Sequence, residues 1–152
     1  MSNTFTLNLE TVEGSGLKFR GRAGSGTEMV TDSGPGMVAP SPIEALLLAL
    51  GGCEGMDVIS ILRKKRQAVT AYEIAVTGER QTEHPRRYTK IEIVHRFTGR
   101  DLNPAAIDEA IRLSATKYCS VHASLAQDIE IVNRFEIQPE SIGARDDRAV
   151  NP

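Results

Sequence analysis

Ser41-Pro42-Ile43-Glu44-Ala45-Leu46-Leu47-Leu48-Ala49-Leu50-Gly51-Gly52-Cys53 opens a pattern that runs without a further proline to about Gln67. Serine before proline is a helix start: serine caps the free N–H groups, and proline fits the first helical position. Ile43, Leu46, Leu47, Leu48, Leu50, Val58, Ile59, Ile61 and Leu62 then cover nearly every face. A helix that is apolar all round is a buried helix. Arg63-Lys64-Lys65-Arg66 places cations where the helix dipole favours them, as a solvated end. One small subunit has difficulty burying such a helix, so the pattern predicts a homodimer that supplies a second layer.

Upstream, Phe5, Leu7 and Leu9 alternate with polar residues, the period of a half-buried strand. Leu17–Arg22 and Thr27–Thr31 read as two further strands, divided by Gly24-Ser25-Gly26. Ser33–Pro40, rich in glycine and proline, reads as loop. Downstream, Tyr72, Ile74 and Val76 alternate, and Tyr88–Phe97 repeats the period with Ile91 and Ile93 on one face. The polar stretch Gly78–Arg87 connects them. Asn103-Pro104 repeats the cap-and-proline device before a helical spacing of Ile107, Ala110, Ile111 and Ser114. A break near Tyr118-Cys119 leaves Ser120 to cap a short helix through about Ala126. Ile129, Ile131 and Phe135 suggest a last strand. Three strands, one buried helix, two strands, two helices and a strand predict an α+β fold. Residues 1–137 form its single domain, and 138–152 read as a loose tail.

The chain has 152 residues, a net charge of −2 and 25% charged residues. That balance argues against a nucleic-acid binder, which needs a basic surface. The longest apolar run, Ala45–Leu50, falls far short of the roughly 20 residues of a membrane span. Met1–Val12 lacks the basic start and apolar core of a signal peptide. These features predict a cytoplasmic protein with no membrane association. Two cysteines in a reducing compartment are then free core thiols or redox thiols.

Cys53 lies mid-helix among Gly51, Gly52 and Gly55. Each glycine costs about 1 kcal/mol there relative to alanine. A close helix crossing explains them, and so does a substrate cleft beside the thiol. Glu54 and Asp57, odd on a buried helix, are either exposed on a narrow stripe or paired. Cys119 sits at the start of a short helix, whose dipole favours a thiolate. Cys53 is too far from its helix start for that help and needs a cation from another segment. Local physics thus makes Cys119 the more thiolate-like of the two. Cys119-x-x-His122 looks like a chance surface spacing. No pair of histidines has zinc-ligand spacing, and no Gly-rich loop suggests a nucleotide, so no metal or cofactor is predicted.

The Ser41–Cys53 stretch resembles the central-helix motif of the OsmC/Ohr family, and Lys117-Tyr118-Cys119-Ser120-Val121 resembles its second cysteine motif. Gly99-Arg100-Asp101-Leu102 and His84-Pro85-Arg86-Arg87-Tyr88-Thr89 are similar to further family phrases, over about residues 16–137. The resemblance implies an intertwined homodimer with two long central helices. It implies a peroxidase for organic hydroperoxides, with Cys53 peroxidatic and Cys119 resolving. A lipoyl-type dithiol or other small thiol would be the reductant. The best-studied branches of that family place a glutamate directly after the helix-opening proline, paired with an N-terminal arginine. Here Ile43 stands there, and Glu44 follows about 100° further round the helix. Arg20 and Arg22 occupy the right N-terminal segment on one strand face, with Arg86 and Arg87 as the fallback. These departures place the chain nearer a less characterised branch. They leave a second reading, a non-catalytic redox-sensing or small-ligand-binding module.

Overall fold

The computed structural model describes residues 4–9, 15–138 and 140. The chain divides into two compact units at Gly52 and Cys53, within one continuous helix. The expected C-terminal tail, apart from Gln138 and Glu140, lies outside the described residues, as does Gly14.

The first unit holds an antiparallel meander of β1 (Phe5–Leu9), β2 (Phe19–Ala23) and β3 (Glu28–Thr31). The alternation in β1 is real, with Leu7 opposite Gly21. Its apolar row of Phe5, Leu7 and Leu9 is nevertheless exposed in the single chain rather than half-buried. The loop after β3 is ordered by Asp32, a buried carboxylate. It accepts hydrogen bonds from Ser15 Oγ and from the backbone N–H groups of Ser33 and Val38.

Helix α1 (Pro42–Lys64) begins where Ser41-Pro42 predicts. Its buried positions, Leu50, Gly51, Glu54, Gly55, Val58 and Leu62, form a single stripe at helical spacing. The expectation of a helix buried on every face is therefore not met by one chain. Leu48 is 65% and Met56 74% exposed. By length and composition alone α1 would also pass as a membrane span, although about a third of it is buried inside the protein. Core helices pass the same test.

The second unit contains a sheet ordered β4–β5–β6. Strands β4 (Ala68–Arg80) and β5 (Tyr88–Arg100) form an antiparallel pair. Strand β6 (Glu130–Gln138) pairs with β5 in parallel, with Ile91 opposite Ile131. A parallel neighbour needs a crossover. Helix α2 (Pro104–Leu113), a π-helical turn (Ser114–Tyr118) and the short helix α3 (Ser120–Ser124) provide it. Asn103 caps α2 by accepting the Ala105 N–H at 2.9 Å. Central β5 turns Ile91, Ile93, His95 and Phe97 inward. The core joins Val58 and Leu62 of α1, Phe97, and Ile107, Ala110 and Ile111 of α2. Both strands of the hairpin run beyond the apolar alternation, because pairing with each other carries their polar ends.

Two glycines show opposite constraints. A Cβ on Gly99 would lie 2.2 Å from the Ala68 carbonyl oxygen, which is backbone and cannot swing away. A Cβ on Gly52 would meet no atom within 4 Å. Gly99→Ala should therefore destabilise the protein by about 1–3 kcal/mol, as overpacking does. Gly52→Ala should stabilise it by up to about 1 kcal/mol through helix propensity. Urea denaturation of both variants checks the signs.

Candidate active site

Cys53 and Asp57 stand one turn apart on α1, and Cys119 stands between the π-helical turn and α3. The two sulfurs and an Asp57 carboxylate oxygen all lie within 4.8 Å of one another. Two cysteines far apart in sequence thus meet. The π-helical turn is part of the cause: the Cys119 N–H reaches the Ser114 carbonyl, five residues back, at 2.9 Å. Cys119 then turns to extended backbone (φ −70°, ψ 102°). It, rather than Ser120, caps α3, because its Sγ accepts the His122 N–H at 3.3 Å.

This cap does not make Cys119 the readier thiolate. The residue is 3% exposed. Burial pushes its thiol up to about 12, with Cys53 and the Glu54 charge adding to the shift and the His122 N–H opposing it. The dipole argument fails here because desolvation outweighs one hydrogen bond from a single helical turn.

Both acids flagged beside Cys53 are paired. Glu54 is completely buried. Its Oε1 accepts from His122 Nδ1 at 2.8 Å, so Cys119-x-x-His122 is no surface coincidence. Its Oε2 has no hydrogen-bond partner and faces His95 Nε2 at 3.7 Å, too far for a bond. Asp57 Oδ2 accepts from Ser114 Oγ at 3.0 Å.

A second layer fixes His95. Burial, with the Glu54 charge, raises the Tyr72 phenol, which stays protonated and donates to His95 Nδ1 at 2.7 Å. His95 Nε2–H then donates to Asn133 Oδ1 at 2.9 Å. Tyr72 stacks on Phe97 with ring centroids 4.4 Å apart, which locks the row. His122 also borders a cleft of about 350 Å³ lined by Ile111, Ala115, Asn133 and Phe135 among others.

Of the remaining anticipated residues, Glu44, Arg20 and Arg22 lie in the first unit and Arg86 and Arg87 in the second, and each has a partner within its own unit. Glu44 Oε2 accepts from the Ser41 N–H and hydroxyl at 2.8 and 2.6 Å, a reciprocal capping box at the start of α1. Arg20 and Arg22 both pair with Glu28, at 3.2 and 2.8 Å. Arg87 pairs with Asp128, and Arg86 Nε donates to the Thr82 carbonyl. Sequence reasoning missed Ser114, His95, Tyr72 and Asn133. His95 was within reach, since it continues the inward alternation of Ile91 and Ile93.

Residues 33–133 match the family model described as OsmC-like protein. The chain is 45% identical to protein YhfA of Escherichia coli K12 over 122 residues, 80% of this chain and 91% of that protein. A hypothetical protein from Aquifex aeolicus VF5 superposes with a TM-score of 0.80 at 31% identity, covering 92% of this chain and 98% of its own. An organic hydroperoxide resistance protein from Elizabethkingia anophelis superposes at 0.67 with 8% identity, covering 91% and 97%; it shares the fold.

Two measurements check the site. In a Cys53→Ser background, which removes the Cys53 contribution and leaves the burial, Cys119 alkylation should still rise about tenfold per pH unit through neutral pH, with its plateau well above that of an exposed cysteine. A plateau below pH 9 would contradict the buried-thiol account. His122→Ala strips the partner from a buried carboxylate and should cost about 2 kcal/mol in chemical denaturation.

Proposed function

Because this chain belongs to the OsmC-like protein family, we propose that it is a thiol-dependent peroxidase that reduces organic hydroperoxides through Cys53 and Cys119. The supporting observation is the approach of the two sulfurs to within 4.8 Å. A disulfide needs them at about 2.05 Å, a distance that side-chain rotation and small backbone shifts can close.

In this reading the Cys53 thiolate attacks the O–O bond. One oxygen becomes the sulfenic acid and the other leaves as the alcohol, taking a proton from solvent. The Cys119 thiol then condenses with the sulfenic acid, forming the disulfide and water. A lipoyl-type dithiol, or another small thiol, returns both cysteines to thiols by exchange. We assign Cys53 the first attack because it is the less buried of the two. Arg20 and Arg22 are the proposed source of the cation that favours its thiolate. Either arginine would loosen its bond to Glu28 in doing so. Glu44 serves this scheme as the cap of α1.

We also propose a homodimer acting in the cytoplasm. The exposed apolar row of β1 and the exposed Leu48 and Met56 of α1 support a second copy as their cover. The high Cys119 pKa favours slow resolution and supports one alternative, a sensor oxidised once without turnover.

Reduced protein treated with an alkyl hydroperoxide should lose two hydrogen masses and both free thiols. Cys119→Ser should stop at a Cys53 sulfenic acid that dimedone traps. Cys53→Ser should fall to the uncatalysed rate of peroxide loss. An unchanged mass with both thiols intact would sink the proposal. Disulfide formation without steady turnover on dihydrolipoamide would select the sensor.

A further inference from the structure

Disulfide chemistry uses two sulfurs and no carboxylate. A negative neighbour even opposes thiolate formation. Yet an Asp57 oxygen lies within 4.8 Å of both sulfurs, and Ser114 holds the carboxylate in place at 3.0 Å. The peroxidase scheme leaves Asp57 unexplained.

Two thiolates and one carboxylate are a donor set for a borderline-soft divalent ion. Tetrahedral zinc takes bonds of about 2.3 Å to sulfur and about 2.0–2.2 Å to oxygen, which puts its two sulfurs about 3.8 Å apart. From an upper limit of 4.8 Å, closure needs roughly 1 Å of side-chain movement at most. Cys53 and Asp57, one turn apart on α1, offer two ligands from one rigid element. Cys119 offers the third from the opposite side, its sulfur held by the His122 N–H. Ser114 is the outer partner that metal-binding carboxylates ordinarily have. Three protein ligands leave a fourth position for water.

We infer that the reduced protein binds one thiophilic divalent cation of the Zn²⁺ class through Cys53, Asp57 and Cys119. Binding releases the two thiol protons to solvent and changes no oxidation state. The ion and the disulfide exclude each other, because both need the same sulfur lone pairs. If the peroxidase reading holds, a hydroperoxide takes two electrons from the bound sulfurs. With two protons from solvent it gives the disulfide, an alcohol, water and the free ion.

The test is an anaerobic titration of the reduced, chelator-washed full chain with Cd²⁺, followed by the ultraviolet thiolate-to-metal charge-transfer band. The band should saturate at one ion per chain, yield to competing Zn²⁺ and be absent after diamide oxidation. Asp57→Asn should weaken binding by at least about tenfold, and Ser114→Ala by about tenfold. Circular dichroism confirms that each variant is folded; if Asp57→Asn is not, the Ser114→Ala titration decides. No saturable band, or unchanged affinity in the deciding variant, overturns the site. Peroxide turnover of the chelator-washed protein is measured separately. Turnover without the band defeats only the cation site, and the band without turnover defeats only the peroxidase reading.

Discussion

The contact on which the site depends joins a buried carboxylate to an imidazole. Glu54 has no exposed surface, and its bond to His122 offsets part of the cost of burying the carboxylate. A charge so placed tolerates little sliding. It fixes the rotation of α1 against the start of α3, and the sulfurs sit one residue before Glu54 and three before His122. The pair of cysteines is held in register by their neighbours rather than by each other. The same carboxylate carries a cost, since its negative charge adds to the burial that keeps Cys119 a thiol.

Around that contact the protein layers its polar groups unusually deep. His95 occupies a position of β5 that the alternation reserves for an apolar residue, and it is accepted because Tyr72 and Asn133 satisfy both ring nitrogens. Fully satisfied networks of this kind specify one arrangement of a core. Asp57 and Ser114 repeat the device beside the sulfurs.

Most of the fold was legible in the sequence for reasons that are local. Ser41-Pro42 and Asn103-Pro104 announced α1 and α2, apolar alternation announced β1, β4 and β5, and the Gly24-Ser25-Gly26 turn divided β2 from β3. The α+β order followed from the order of those elements, whereas the pairing of the two cysteines was implied only by the resemblance of their motifs to a family and had no local signal. What sequence could not supply was the direction of side chains across elements. Glu54 and Asp57 were visible as anomalies, but their partners are 68 and 57 positions away. The cap of α3 was misplaced by one residue because a cysteine is an uncommon cap. The dipole argument for Cys119 failed because a helix start can be seen in sequence while burial cannot. The helix predicted to be buried on every side is buried along one stripe, since hydropathy records what a face prefers and not what one chain provides.

The π-helical turn at Ser114–Tyr118 has a consequence in the currency of insertions and deletions. It is an α-helical continuation with an extra residue accommodated in the ring. Removing one codon there would restore an ordinary helical turn and rotate everything after it by about 100° relative to α2. Ser114 would keep its place, and Cys119 would face elsewhere. Every side chain of the site would survive such a change, and the site itself would not. In this segment the length of the chain is as informative as its letters. Alignments that place a gap between Ser114 and Cys119 would therefore mark relatives in which the second cysteine has a different use.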